Sequence, residues 1–342
     1  MELAPRRQKI LSAIIENFIQ TGEPVGSKTL IDETGLQVSS ATVRNDMALL
    51  TQKGYLVQPH TSAGRIPTPM GYRYYIDNLM ELEDVSDRGK AYIEDRLTRK
   101  AESPENILRS ASQLLSELTG YAAVATTPNG ADSRIHKISF VQTGSHTAMA
   151  VVIASNGIIK SQLYRCEFML NPEILGVFDK ALNGIFSGVR LSSINKPFIQ
   201  TAAEGFGELS LFMPSVLTAI KDAADKAIEP SLYISGQTKA LFMNETDFIS
   251  AKNLMEFLGN TKDFAAMLEN LPIGTSVCIA NENSRFELAQ TSVISSSYEL
   301  ENTPSGMLAV IAPIRTDYAR TISIIECISD CVGKIIGELI EI

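Results

Sequence analysis

Histidine and cysteine are scarce in this chain, and their placement removes several functions at once. The 342 residues include three His and four Cys. His60, His136 and His146 are scattered, and none stands in a metal-ligand spacing. The cysteines, at 166, 278, 327 and 331, have no disulfide-framework spacing, which argues for a reducing, cytoplasmic setting. Cys327 and Cys331 lie one helical turn apart and so share a helix face. A metal or redox pair there needs further ligands, and no ligand-type side chain completes such a set; burial as small apolar groups is the simpler account. No Gly-x-x-x-x-Gly-Lys-Ser/Thr occurs, and neither Gly205-Phe-Gly207 nor Gly184 with Gly188 makes a phosphate loop. No Ser/His/Asp arrangement can be argued, so enzymatic activity has no positive support and no cofactor is expected. No apolar run approaches the roughly 18 residues of a membrane span. No apolar segment follows a basic start, so neither a secretory signal nor a membrane association is expected.

What is present describes a globular, multidomain chain. The composition is 44% hydrophobic and 20% charged, and the length suits two or three domains. The net charge of −9 is unevenly spread. Residues 1–80 carry eight Lys/Arg against seven Asp/Glu, while residues 81–342 carry twenty-two against thirty-two. Overall acidity repels nucleic acid and suppresses sliding on random sequence, but the N-terminal segment escapes that balance.

In that segment, Ile10, Leu11, Ile14, Ile15 and Phe18 recur at helical spacing after Pro5, and Gly22 ends the run. Ser27 can cap a second short helix closed at Gly35. Ser39 can cap a third, on which Val43, Met47 and Leu50 share one face while Ala41, Arg44, Asn45 and Ala48 share the other, with Thr42 at the flank. Gly54 ends it. Tyr55–Gln58 reads as a strand, His60–Gly64 as a turn and Arg65-Ile-Pro67 as the return. Three helices and a hairpin make a winged helix-turn-helix. A further helix starts near Gly71.

The rest alternates in texture. Residues 81–103 read as a helical linker. An amphipathic helix begins at Ser103-Pro104, followed by a strand at 121–126. A meander of three strands follows (136–142, 148–154, 158–166), then helices at about 172–186 and 215–228. From Ser231 the order is strand, helices near 249–258 and 261–269, strands at 276–280, 286–294 and 307–314, and a last helix at 317–340. That order suits a GAF-like α+β domain built from 104–133 and 231–342. Residues 134–230 interrupt it as an inserted α+β unit with a three-stranded antiparallel sheet.

The chemistry of the N-terminal segment points to double-stranded DNA. Arg44 can bond the O6 and N7 of guanine bidentately, and Asn45 the N6/N7 edge of adenine. Ala41, Thr42 and Ala48 are small enough to admit the groove edge; the bland alternative is a solvated helix face. Ser27 and Lys28 begin the second helix, whose N–H groups can face a phosphate; plain capping by Ser27 is the bland alternative and is compatible with it. His60, Thr61, Ser62 and Arg65 suit the backbone or minor groove, or an ordinary polar hairpin. Ser39 and Ser40 open the third helix beside the same surface. Tyr72, Tyr74 and Tyr75 resemble a base-stacking platform, but their helical spacing with Ile76 and Leu79 favours packing.

Several stretches resemble one family closely. Gly22-Glu-Pro-Val-Gly-Ser-Lys-Thr-Leu30, Ser40-Ala-Thr-Val-Arg-Asn-Asp-Met47, Gln58-Pro-His-Thr-Ser-Ala-Gly-Arg-Ile-Pro-Thr68 and Gly71-Tyr-Arg-Tyr-Tyr75 resemble the heat-inducible transcription repressor HrcA family. So do Leu115-Ser-Glu-Leu-Thr-Gly120, the meander from 136, and Arg315-Thr-Asp-Tyr-Ala-Arg320, so the likeness runs through essentially the whole chain. The resemblance implies a repressor of chaperone operons that binds an inverted-repeat operator as a homodimer. It also implies a winged helix, a GAF-like domain, an inserted dimerisation domain and activation by a chaperonin of the GroEL/GroES type. Two departures stand out. Ser40 replaces a usual Pro, and Cys278-Ile-Ala280 stands where a basic residue followed by Gly is common. A competing expectation is a small-molecule-sensing regulator that uses the GAF-like domain, although fold analogy alone establishes no ligand. The apolar faces of the insert (Ile174, Phe178, Leu182 and Phe186; Val216, Leu217 and Ile220) suit either an internal core or dimerisation, which a two-fold operator requires.

Overall fold

Proline in the first turn and a side-chain cap just before it set where many of the helices begin. The computed structural model describes residues 3–34, 38–61, 63–99, 101–128, 130–206, 213–242, 248–300 and 303–340. Helix α1 (Pro5–Thr21) ends at Gly22, whose φ of 73° is left-handed and costs glycine little. Helix α2 (Ser27–Thr34) follows; the expected stop at Gly35 lies outside the described residues. Helix α3 (Ser40–Gln52) is capped by Ser39, whose hydroxyl accepts from the Thr42 N–H. Two short strands, β1 (Leu56–Val57) and β2 (Ile66–Pro67), pair antiparallel and lead into α4 (Pro69–Asn78), capped by Thr68. Ile10, Leu11, Ile14 and Ile15 of α1 meet Leu30, Val43, Met47 and Leu50 in one buried cluster. Tyr72 and Tyr75 are buried, and Tyr74 packs edge-on to Tyr55 at 5.3 Å. These rings are packing groups.

Helix α5 (Asp87–Thr98) is more firmly held than a bare linker. Ile93 and Leu97 are buried, Arg96 pairs with Glu117 at 2.9 Å, and Lys334 pairs with Glu94 at 2.8 Å. Helix α6 (Pro104–Thr119) buries Ile107, Leu108, Leu114 and Leu115 on one face, each contributing roughly 1.5–3 kcal/mol of transfer free energy. Strand β3 (Ala122–Thr126) comes next.

The middle of the chain forms its own layered unit. Strands β4 (Ile135–Gln142), β5 (Thr147–Ala154) and β6 (Ile159–Arg165) make an antiparallel sheet in sequence order. Helices α7 (Pro172–Phe186), α8 (Lys196–Glu204) and α9 (Pro214–Ile228) follow. Alternate residues of β5 (Ala148, Ala150, Val152, Ala154) are buried with Phe178, Leu182, Leu217 and Ile220. Asn183 ties helix to sheet: its side chain accepts from Ile138 N at 2.8 Å and donates to Ile138 O at 2.7 Å.

The chain then returns through β7 (Leu232–Ser235), α10 (Phe248–Gly259), α11 (Thr261–Glu269), β8 (Thr275–Ile279), β9 (Thr291–Leu300), β10 (Thr303–Pro313) and α12 (Tyr318–Ile340). A five-stranded antiparallel sheet has the order β7-β3-β10-β9-β8. Its period of two splits the core. Ala123, Ala125, Leu308 and Val310 pack with α6 and α12, while Ala122, Val124, Ala309 and Ile311 pack with Leu254, Phe257, Phe264 and Leu268 of α10 and α11. The strand expected at 286–294 begins later: Phe286–Leu288 is a 3-10 turn, and β9 starts at Thr291 and runs to Leu300. Arg285, Glu287 and Gln290 interrupt the apolar alternation there, so the strand pattern resumes only with Val293. Ala280 and Ser284 adopt left-handed φ values of 50° and 53° on either side of Glu282.

Candidate nucleic-acid interface

The outer face of α3 presents Ala41, Arg44, Asn45 and Ala48 to solvent, because Val43, Met47 and Leu50 occupy the buried face. Asp46 falls on the buried side and is only 2% exposed. Its carboxylate accepts from Arg6 Nε at 2.7 Å and from Arg7 Nε at 2.9 Å. Burial opposes ionisation of Asp46, but the two guanidinium bonds outweigh it and hold the carboxyl below its usual range. The single acid of α3 is therefore turned towards α1 and neutralised, away from the exposed Arg44.

The hairpin is fixed against α2 and α3 at its base. Val25 N–H donates to Arg65 O at 3.0 Å, and Arg65 N–H to Val25 O at 2.9 Å. Gly64 permits that approach, since a Cβ there would overlap the Val25 carbonyl. Arg65 Nε donates to Thr51 Oγ1 at 3.0 Å, which anchors the guanidinium stem on the end of α3. Nearer the tip, Gln58 Nε2 donates to Thr61 O at 2.9 Å and to Ala63 O at 3.1 Å. His60 and Thr61 are exposed.

A cleft of about 490 Å³ opens between the start of α2, α3 and the hairpin, and Lys28, Arg44 and Arg65 all line it. Among the described residues no carboxylate joins that lining. The arrangement therefore concentrates three cations around a groove, although the whole segment carries almost no net charge.

Of the residues singled out from the sequence, the structure brings Ser27, Lys28, Arg44, Thr61 and Arg65 to this one cleft. Asn45 lies beside it on the exposed face of α3. The hydroxyls of Ser27 and Ser40 bond each other at 3.0 Å, and those of Ser39 and Thr42 do so at 2.9 Å. These four hydroxyls thus already have local partners. Ser62 lies outside the described residues. Sequence reasoning missed Asp46, Thr51 and Gln58. Asp46 stands three residues after Val43, on the apolar face, and that signal was legible; its partners forty residues upstream were not.

This N-terminal part is joined to the five-stranded sheet by specific contacts. Arg73 of α4 pairs with Glu282 and donates to the Val277 carbonyl. Arg315 Nη1 donates to Ile19 O at 3.0 Å, and its guanidinium lies 5.9 Å from the centre of the Phe18 ring. The Tyr72 and Tyr318 rings are 5.8 Å apart.

Comparisons with known proteins agree on one family. Residues 105–322 match the family model described as HrcA protein C terminal domain. The heat-inducible transcription repressor HrcA of Lachnoclostridium phytofermentans is 32% identical over 332 residues, covering 95% of each chain. The namesake from Clostridium tetani is 31% identical, over 99% of this chain and 97% of its own. That of Alkaliphilus metalliredigens is 30% identical over 98% of both. A crystal structure of a hypothetical protein shares the fold with a TM-score of 0.68, at 24% identity over 98% of this chain and 99% of that one. With its full length accounted for by relatives of one kind, the chain belongs to the heat-inducible transcription repressor HrcA family.

Proposed function

We propose that this repressor binds double-stranded DNA at an inverted-repeat operator as a homodimer. Residues 1–80 form a winged helix-turn-helix, 81–103 connect it, 104–133 with 231–342 form a GAF-like domain, and 134–230 form an inserted dimerisation domain. The observation that carries the proposal is the cleft between α3 and the hairpin, which no carboxylate lines among the described residues, with Arg44 and Asn45 exposed beside Lys28 and Arg65. In this reading α3 enters the major groove, Arg44 and Asn45 read base edges, and Lys28 with the hairpin (His60, Thr61, Ser62 and Arg65) meets the flanking backbone. Ser27, Ser39, Ser40 and Thr42 present the start of each helix to phosphate while holding it in shape.

The outward face of the three-stranded sheet supports pairing. Val141, Met149 and Leu163 stand in register across β4, β5 and β6, as do Ile153 and Ile159 across β5 and β6. Val141, Ile159 and Leu163 are each about half exposed or more, at 48%, 54% and 57%. Family membership supports control by a chaperonin of the GroEL/GroES type, which would raise the fraction of correctly paired protein and so repress chaperone operons when chaperones are in surplus. The test is operator binding at fixed salt, titrated with and without chaperonin, using wild type and Arg44→Ala. Arg44→Ala should cost about 1–3 kcal/mol and relax preference at one base position per half-site. Equal weakening on all sequences would reassign Arg44 to phosphate, and no operator binding by the wild type would overturn the proposal.

A second reading, small-molecule sensing, draws on an apolar cleft of about 260 Å³ between α11 and the sheet, lined by Leu268, Leu271, Ile273 and Met307. A ligand of the native state would raise the thermal midpoint.

A further inference from the structure

The pair of cysteines on α12 sits differently from the other two. Cys166 is buried at 3% exposure, and Cys278 is half-buried with its thiol pushed up by burial. Cys327 and Cys331 are half-buried and stand one turn apart on α12. Both line a cavity of about 390 Å³, together with Leu82, Val85, Lys90 and Lys334. The neighbouring Cys331 thiol outweighs burial and, with Lys90 helping, holds the Cys327 thiol down to about 7. Cys331 is pushed up by Cys327 and by burial. Cys327 is the more easily ionised of the two, and its neighbour is a second thiol one helical turn away. The carboxylates facing the pair, Asp84, Glu94, Glu326 and Asp330, lie around the same cavity.

A disulfide does not suit this pair. Residues i and i+4 of a helix hold their Cβ atoms roughly 5–6 Å apart, whereas a disulfide needs about 3.5–4.5 Å. A larger bridging atom that takes two sulfurs does suit it. We propose that Cys327 and Cys331 form a dithiol site for a soft, two-coordinating thiophile of the trivalent organoarsenical class, which seats its organic group in the cavity against Leu82 and Val85. The Cys327 thiolate attacks arsenic and displaces one hydroxide. Cys331 then adds and displaces the second. The two thiol protons leave with the hydroxides as water, so two As–S bonds replace two As–O bonds and nothing is oxidised or reduced.

The cavity wall at 82–85 belongs to the segment that joins α4 to α5. An occupied site therefore packs against the connection between the N-terminal part and the rest of the molecule.

The experiment treats reduced full-length protein with one equivalent of phenylarsine oxide and measures intact mass, then maps the adduct on peptides. One phenylarsenic should be retained per chain, bridging Cys327 and Cys331. It should survive a wash with a monothiol and be removed by 2,3-dimercaptopropanol. Cys327→Ser and Cys331→Ser should each lose the wash-resistant adduct, while Cys166→Ser and Cys278→Ser keep it. Retention by either α12 variant, or no retention by wild type, overturns the site. Circular dichroism of each Ser variant checks that the fold is kept, and a variant that fails to fold is replaced by Cys327→Ala or Cys331→Ala. In hydrogen exchange, the adduct should slow residues 82–90 several-fold; unchanged rates there overturn the placement of the organic group. Neither readout depends on DNA, so both stand or fall apart from the proposed function.

Discussion

Asp46 illustrates how a single buried acid shapes the surface opposite it. Its two bonds to Arg6 and Arg7 pin α3 on α1 and so set the direction in which Arg44 points. Its folded-state titration lies below its ordinary value, so the stabilisation is present above the ordinary carboxylate range near pH 4 and is lost as pH falls through the lowered value. Asp46→Asn should therefore lower the thermal midpoint at pH 7 and make the midpoint less sensitive to pH between about 5 and 2 than in wild type; thermal melts across that range give the comparison. An unchanged midpoint at pH 7 would mean that the two arginines hold no strain-free bond worth keeping. Arg44 and Asn45 were legible in the sequence because helical periodicity separates faces. The partners of Asp46 were not, because packing between distant segments leaves no local pattern.

At the scale of elements, the hairpin and α3 act as one piece. Arg65, at the start of the returning strand, bridges Val25 with its backbone and reaches Thr51 with its side chain, so it holds the hairpin's base. Lys28 is exposed and has no ion-pair partner among the described residues. The two cations should then behave differently. Lys28→Ala should reduce affinity for all sequences alike and flatten the dependence of log affinity on log salt by about one unit. Arg65→Ala should do the same and also loosen the hairpin, which would appear as faster hydrogen exchange at Val25 and Arg65. An unchanged slope for Lys28→Ala would remove it from the phosphate contacts. Most helices were readable from Pro, Ser and Gly punctuation, as at Ser103-Pro104 and Gly120. The start of β9 was not, because one apolar residue, Phe286, mimics a strand while standing 75% exposed on a 3-10 turn.

For the whole molecule, what matters is how two exposed faces are held in relation to each other. The cleft at α3 and the outward sheet face of β4–β6 lie in different units: Arg73 and Arg315 join the N-terminal part to the five-stranded sheet, and Lys160 Nζ of β6 donates to Ser231 Oγ, just before β7, at 3.1 Å. If the sheet face pairs two copies, Leu163→Asp should shift the protein towards monomer in sedimentation and weaken operator binding far more than non-operator binding. A dimer that persists unchanged would move the interface elsewhere. The order of elements was visible in the sequence, but not the contacts between units. Arg73 meets Glu282 across 209 residues, and no periodicity reports such a meeting.

Glu282 is carried by a turn with unusual backbone angles. Ala280 and Ser284, on either side of it, are both left-handed although neither is glycine. Each such residue costs roughly 1–2 kcal/mol, so the partner of Arg73 is presented by a conformation the chain enters only under duress from its neighbours. Such a clasp should act as a fuse: warming should release it while the sheet beneath is still intact, so that the N-terminal part loses its bearing before anything unfolds. Ala280→Gly removes one of the two costs. It should raise the temperature at which residues 278–284 begin to exchange their amide hydrogens, while the melting of α6 and the five-stranded sheet moves little.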